Sequence, residues 1–382
     1  MNNLRYFLMP LLFGIHTVLF TLGGAYFWVS FFLAVFLGTI VEEILKDDQE
    51  KAAIKIKNIK LANGILYFFL PVISAMACIF IYHTASAPIF DLSILAFDLM
   101  ERREITQSNP IYIIGALFAF GSLLSTGATN VAHELIHRRK SWISQLNARW
   151  LMAFSWDTTF TIEHLYGHHR HVATFVDANS SRRGENLYQF IPRSSYQAFT
   201  RAFKIERERL HRKGKSALHW QNKVIRGQFM SLAIYTVAYL IGGLSGLGLL
   251  MTAAFIAKFW LESVNYLQHH GLVRVPGKPI MPRHSWDSNR WISNTFLFNL
   301  SRHSQHHTKG SAPYWELQIT EDSPKLPYGY LTSVFIAMVP PLWFKIITPE
   351  LEKWDNEKAS REELLLLGKK IEEQEDPVLI AA

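Results

Sequence analysis

Residues 110–137 read PIYIIGALFAFGSLLSTGATNVAHELIH. The first part, 110–131, carries no charged side chain and has the length of roughly 20 residues that an α-helix needs to cross a bilayer core. It runs straight into His133-Glu134-Leu135-Ile136-His137, so a membrane span delivers two imidazoles to one helix face. Working outward, the apolar run 6–44 is long enough for two helices turning at Leu22-Gly23-Gly24. A further span covers 61–82, and 227–265 is again two crossings long, with turn signals at Gly242-Gly243 and Ser245-Gly246. The expected fold is all-α and integral to the membrane. It is a six-transmembrane-helix bundle with spans near 6–21, 25–44, 61–82, 110–131, 227–243 and 246–265, and a helical cap built from 132–226 and 266–349. Residues 1–349 then form one domain, followed by a charged tail, 350–382.

Composition agrees. The 382 residues are 49% hydrophobic and only 18% charged, against the quarter usual in soluble domains. A purely soluble enzyme is disfavoured, and disorder and low complexity are excluded. The weak positive start (Arg5) and the immediate second apolar run favour a retained anchor over a cleaved signal peptide. Lys46, Lys51, Lys55, Lys57 and Lys60 fill the loop after the second span, whereas Asp91, Asp98, Glu101 and Glu104 face only Arg102 and Arg103 between the third and fourth. The positive-inside rule then places both termini and the cap in the cytoplasm. The net charge of +8 reads as that basic inner face, and no nucleic-acid recognition motif accompanies it. The single cysteine, Cys78, excludes an intramolecular disulfide, a zinc ribbon and an iron–sulfur cluster, so any metal must be held by His or carboxylate. No internal repeat marks a solenoid.

Twelve of the 16 histidines lie in 133–171 and 269–307, four times the number that even placement would give, and imidazole is the commonest metal-ligating side chain. His133 and His137 stand at i and i+4, on one helix face. His164 and His168 repeat that spacing, with His169 about 100° round the helix. His303, His306 and His307 do so again, and His269 arrives at the end of the last span. Nine imidazoles exceed what one first-row ion accepts, so a dinuclear centre is expected. Glu134, Glu163, His171, Asp177, Asn265, His270 and His284 are candidates for orienting these ligands. His16 and His83 read as solitary membrane-embedded or interfacial side chains, His211 and His219 as solvated ones. His-Glu-x-x-His alone also fits a zinc protease with Glu134 as base, but a protease leaves the other two triads idle. A non-catalytic metal-binding membrane protein is the remaining alternative.

These motifs, together with Glu163-His164-Leu165-Tyr166-Gly167-His168-His169, Ser180-Ser181-Arg182-Arg183-Gly184-Glu185, Asn265-Tyr266-Leu267-Gln268-His269, His284-Ser285-Trp286 and Arg302-His303-Ser304-Gln305-His306-His307, closely resemble the integral-membrane alkane 1-monooxygenases. Those enzymes lie within the fatty acid desaturase and xylene monooxygenase group of non-haem di-iron proteins. The resemblance implies two irons held by the nine histidines, O₂ as co-substrate, and terminal hydroxylation of a medium-chain n-alkane to a 1-alkanol. It further implies an apolar tunnel between the spans, a bacterial inner membrane location, and two electrons from rubredoxin and its NAD(P)H-linked reductase. A xylene-type methyl hydroxylase, a fatty acyl hydroxylase or a desaturase is the sister reading. The chain departs from the pattern at Gln268 and Gln305, where carboxylates are usual, at His270, where Tyr is usual, and at Phe175-Val176-Asp177-Ala178, which lacks two prolines. Loss of two carboxylates bears on iron affinity and redox tuning. The residues lining a tunnel, among Tyr26, Trp28, Phe31, Phe32 and Phe36, are not separable by sequence from lipid-facing ones.

Overall fold

The computed structural model describes residues 2–45, 47–48, 58–86 and 99–368. Lys46, Lys51, Lys55, Lys57, Asp91 and Asp98, on which the orientation argument leans, lie outside them, as does the end of the chain from 369. Among the described residues there are helices and turns but no strand, only two isolated bridges, Asp47 with Arg290 and Asp287 with Lys325.

Five helices are long and apolar enough to cross a membrane: α1 (Arg5–Leu22), α2 (Tyr26–Leu45), α3 (Ile59–Thr84), α4 (Pro110–Ile136) and, after two surface helices α5 (Trp142–Phe154) and α6 (Leu187–His211), α7 (Lys223–His269). The protein is an integral membrane protein. Large apolar side chains such as Leu11, Val18, Phe32, Phe229 and Phe255 point outward, each more than half exposed, as a lipid-facing surface requires and a water-facing one does not.

Local sequence explains the boundaries. Gly23 and Gly24 turn α1 into α2 with φ of 63° and 55°, values open to glycine at little cost. Asn58 caps α3 and Asn109 caps α4, which opens on Pro110; α6 opens with a reciprocal capping box between Asn186 and Gln189. The fourth span runs beyond 131, so His133 sits inside the helix. The seventh is 47 residues long and is broken at Gly243, whose φ of 60° and ψ of −154° are not helical. Bare backbone at Gly121 lets Ile256 and the Ala253 carbonyl press against α4; a Cβ there would lie 2.6 Å from Ile256.

Charged side chains tie the irregular segment 284–302 to the bundle. Asp48 accepts from Arg5 (2.7 Å), Asn294 (3.0 Å) and Arg302 (3.1 Å), and Arg302 is 1% exposed. After the short helix α8 (His303–Thr308) and the helix α9 (Tyr330–Ala337) comes α10 (Pro340–Glu357), which runs through the expected boundary at 349. The first part of the charged tail is therefore docked. Asp355 takes two bonds from Arg183 (2.6 and 2.8 Å), Trp354 donates to the Arg283 carbonyl (2.7 Å), and α11 (Arg361–Leu366) brings Glu363 against His284 (2.7 Å).

Removing Asp48 takes the carboxylate from the buried Arg302 guanidinium, a loss of roughly 3–5 kcal/mol for a broken buried pair. Asp48→Ala is expected to lower the thermal unfolding midpoint in detergent by several degrees, with a smaller loss for Asp47→Ala, whose contact with Arg290 is long (3.5 Å) and exposed.

Candidate metal centre

All nine histidines converge where α4, the 160–171 segment, α7 and α8 meet. They form two groups: His133, His137, His164, His169 and His306, and His168, His269, His303 and His307, with the ring nitrogens inside each group within 4.8 Å of one another. The closest pairs join Nε2 to Nε2: His164–His169 3.0 Å, His169–His306 3.1 Å, His269–His303 3.1 Å, His303–His307 2.9 Å and His168–His307 3.2 Å. Ligands about 2.1 Å from a common first-row ion stand about 3 Å apart when at right angles. Nε2 of His133 and of His137 is buried with no hydrogen-bond partner. Converging lone pairs and orphaned buried nitrogens fit a metal at each group, and an all-imidazole donor set suits Fe, Zn, Cu or Ni rather than Mg or Ca.

The 160–171 segment shows how sequence becomes geometry. The expected i, i+4 pair His164/His168 does not share a group. Residues 164–168 wind as a π-turn, whose i→i+5 bonding puts His164 with His169 and turns His168 to the other group. One turn of helix thereby serves both groups. In α8 the ordinary spacing holds: His303 and His307 share one group and His306 faces the other.

Burial, reinforced by the neighbouring rings, pushes His164, His169, His303, His306 and His307 well below the usual imidazole range, and His137 to about 3. These rings are neutral at pH 7 and offer lone pairs. His168 is the exception: burial lowers it, but the Asp177 carboxylate at 2.8 Å outweighs burial and raises it. Asp177 itself, which burial would raise, is brought down to about 2 by His168 and Ser180. Glu163 is pushed up to about 7 by burial and by Asp177.

The sequence pattern of the fatty acid desaturase family matches residues 108–335, which carry every one of these histidines. The chain belongs to the fatty acid desaturase family. Among its relatives, alkane 1-monooxygenase 1 of Pseudomonas aeruginosa is 36% identical over 246 residues, 63% of this chain and 64% of that protein. Alkane 1-monooxygenase of Acinetobacter baylyi is 38% identical over 225 residues, 58% of this chain and 55% of that one. The xylene/toluene monooxygenase hydroxylase component of Pseudomonas putida is 29% identical over 362 residues, 94% of this chain and 92% of that one. The match to the alkane 1-monooxygenases thus spans less than two thirds of their length.

Around the histidines of this desaturase-family chain, the expected orienting residues divide. Asp177 accepts from His168 Nδ1 and from Ser180 (2.6 Å). His284 acts through its carbonyl, 3.3 Å from His269 Nδ1; a carbonyl only accepts, so that nitrogen carries the proton and Nε2 keeps its lone pair. Glu134 bonds Arg138 and the Tyr314 amide, and Glu163 bonds Asn179. Neither is hydrogen-bonded to a ring of the two groups. Asn265 reaches toward Glu262 (3.4 Å), His270 packs on Tyr266 and Trp343, and His171 lies half-buried outside both groups. Gln268 bonds Tyr330 (3.4 Å) and Gln305 the Gln318 amide, so neither departure from the family pattern falls on a ring contact. Sequence reading missed Glu363 and Ser180. Glu363 stands 79 residues from His284 on a stretch that reads as a solvated tail; the run Ser180-Ser181 is the one local signal for the other.

A cavity of about 190 Å³ opens on His133, His164 and His303 and runs between α1, α2, α4 and α7 past Leu12, Phe13, Phe31, Ala34, Val35 and Leu123. Of the aromatic residues left unresolved by sequence, Phe31 lines it, while Tyr26, Phe32 and Phe36 face outward.

Glu363 joins the docked tail to the segment that holds His269. The Met281 amide donates to His284 Nδ1 (3.0 Å), so His284 Nε2 carries the proton and donates to Glu363. Although burial opposes it, these bonds from His284 and Arg283 hold Glu363 at about 2, below its ordinary 4.5. A carboxylate depressed on folding adds stability above pH 4.5 that fades as pH falls toward 2. Glu363→Gln is expected to be less stable than the parent by roughly 1.5–3 kcal/mol at pH 6, with the gap narrowing by pH 3 in thermal unfolding read at both pH values.

Proposed function

We propose that this protein is a membrane non-haem di-iron monooxygenase that hydroxylates the terminal carbon of a medium-chain n-alkane: RH + O₂ + 2 e⁻ + 2 H⁺ → ROH + H₂O. The observation that carries this reading is that both histidine groups border the apolar cavity. An alkane offers nothing to hydrogen-bond, so it is bound by shape alone and the depth of the cavity selects the carbon presented. Family membership and the likeness to alkane 1-monooxygenases support it.

On this reading His133, His137, His164, His169 and His306 hold one iron and His168, His269, His303 and His307 the other. Bound iron supplies the reductive activation of O₂ and the attack on an unactivated C–H bond, chemistry beyond any side chain. The chain's own residues prepare the site. Asp177 and the His284 carbonyl keep protons on Nδ1 of His168 and His269, turning Nε2 inward. Five and four imidazoles would hold the two irons and would leave room beside them for O₂. Phe31, Leu123 and Leu12 exclude water from the path of the alkyl chain. Two electrons come from a separate protein, because one cysteine builds no redox centre; rubredoxin with its NAD(P)H-linked reductase suits a basic face at the site's end of the bundle. The break at Gly243 divides α7 into two spans, giving six in all, with both termini and the metal centre on the cytoplasmic side of a bacterial inner membrane. Residues 1–349 make one oxygenase domain.

One observation favours a second reading, a xylene-type methyl hydroxylase: that relative aligns over almost the whole of both chains, though at lower identity.

The iron-loaded protein, supplied with rubredoxin, its reductase, NADH and n-octane under ¹⁸O₂, is expected to form labelled 1-octanol, and His168→Ala to abolish it. Labelled benzyl alcohol from toluene, with n-octane untouched, selects the second reading. Asp177→Asn, which leaves every proposed ligand in place, is expected to weaken metal binding roughly 10–100-fold, read by chelator competition.

A further inference from the structure

The cavity is apolar along its walls but not at its far end. His16 on α1 lines it, is fully buried, and uses Nδ1 on the Ser30 hydroxyl of α2 (2.8 Å). Its Nε2 has no partner. Trp260 on α7 lines the same cavity, and its Nε1–H is likewise buried and unpartnered. Ser122 and Thr126 nearby donate to carbonyls of their own helix, while Thr129 Oγ1 and Asn130 Nδ2, also unpartnered on the cavity wall, lie closer to the histidines.

Helix geometry puts these two nitrogens at one level. Phe13 packs against Gly127, and Ile256 against Gly121. One turn along α1 from Phe13, away from the histidine groups, His16 lies level with about residue 124 of α4; one turn along α7 from Ile256, toward them, Trp260 lies level with about residue 125. From there to His133 the rise of α4 is at most about 13 Å, because Leu124–Thr129 wind as a π-helix, the reach of an extended chain of up to about ten carbons. An indole N–H only donates, and a neutral imidazole offers one donor or one acceptor beyond its bond to Ser30. A buried polar atom left unpaired in apolar surroundings is costly, and an ionised group there is costlier still.

We propose that the cavity binds an apolar chain bearing a neutral oxygen function, a carbonyl or hydroxyl, up to about ten carbons from the carbon presented to the histidines, and that His16 Nε2 and Trp260 Nε1 hold that oxygen. A plain alkane enters the same space without this anchor. A carboxylate is rejected by the apolar surroundings. The direction of the chain, with its unsubstituted end at the metal groups, rests on the proposed oxygenase function; the oxygen site itself does not.

The test is competitive displacement of a fluorescent apolar probe from the full-length protein in lipid nanodiscs, with 2-undecanone, n-undecane and undecanoate as competitors. The ketone is expected to compete at least tenfold better than the alkane, and the carboxylate worst. His16→Leu and Trp260→Phe are each expected to reduce the ketone's advantage severalfold while leaving n-undecane unchanged. Equal competition by ketone and alkane in the parent overturns the proposal, as does a ketone advantage that survives both substitutions. Should His16→Leu fail to fold, Trp260→Phe carries the same comparison, since the aromatic ring is kept. Binding is measured without turnover, so an inactive protein that still prefers the ketone refutes the oxygenase reading and leaves the oxygen site standing. In the active protein, ketone hydroxylated at the distant methyl fixes the direction of the chain.

Discussion

Nine buried imidazoles bring their ring nitrogens as close as 2.9–3.2 Å in a low-dielectric volume, an arrangement that cations placed among them would hold together. The rest of the structure is arranged around that constraint. Spans α4 and α7 carry His133 and His269 at their ends, so the depth of the centre is set by helices that are fixed by apolar burial. The histidines between and after the spans lie on short helical turns whose positions depend on polar contacts: Asp177 with His168, Asp287 with the Ser304 amide (2.7 Å) at the start of α8, and Asp48 with Arg302 just before it.

Those acids also answer a question of charge. None of the nine side chains is an anion, so the charge of any bound metal would not be compensated by the groups that touch it. The compensation stands one residue further out. Asp177, held ionised, touches His168 directly, whereas Glu163 and Glu134, buried beside Arg201 and Arg138, bond none of the nine rings. A carboxylate in that outer position polarises a ligand without occupying a coordination position, which on the proposed function leaves positions for O₂.

The gathering of the histidines was legible in the sequence because helical spacing and apolar length are local signals. His133-Glu134-Leu135-Ile136-His137 after an uncharged run, and His303, His306 and His307 in one turn, predict their own geometry. What failed was either long-range or a local departure from helical period. The partition of His164, His168 and His169 turned on a π-turn that no spacing rule anticipates, because it adds one residue to a turn without changing composition. Glu363 could not be paired with His284 from sequence, since nothing in an acidic, leucine-rich end says that it docks. The two Gln departures looked chemically serious by position, yet the structure gives both side chains other partners.

The position of the open nitrogens on His16 and Trp260 bears on how a cavity of this kind chooses. An apolar cavity measures length poorly, because one methylene more or less changes binding by only about 1–3 kcal/mol, and every carbon of an alkane resembles the next. A polar pair at a fixed distance from the reacting end converts that measurement into one of register. A chain with its oxygen at the right carbon satisfies both nitrogens, and a chain displaced by one carbon leaves them unpaired. Unpaired groups are penalised more steeply than lost methylene contacts, so selection by register is sharper than selection by volume. The same pair biases the orientation of the chain, since reversal brings the oxygen toward the histidines and an apolar terminus against His16. On the proposed oxygenase function, two atoms in the membrane interior thereby favour the unsubstituted end at the histidines, a preference that the shape of the cavity alone does not supply.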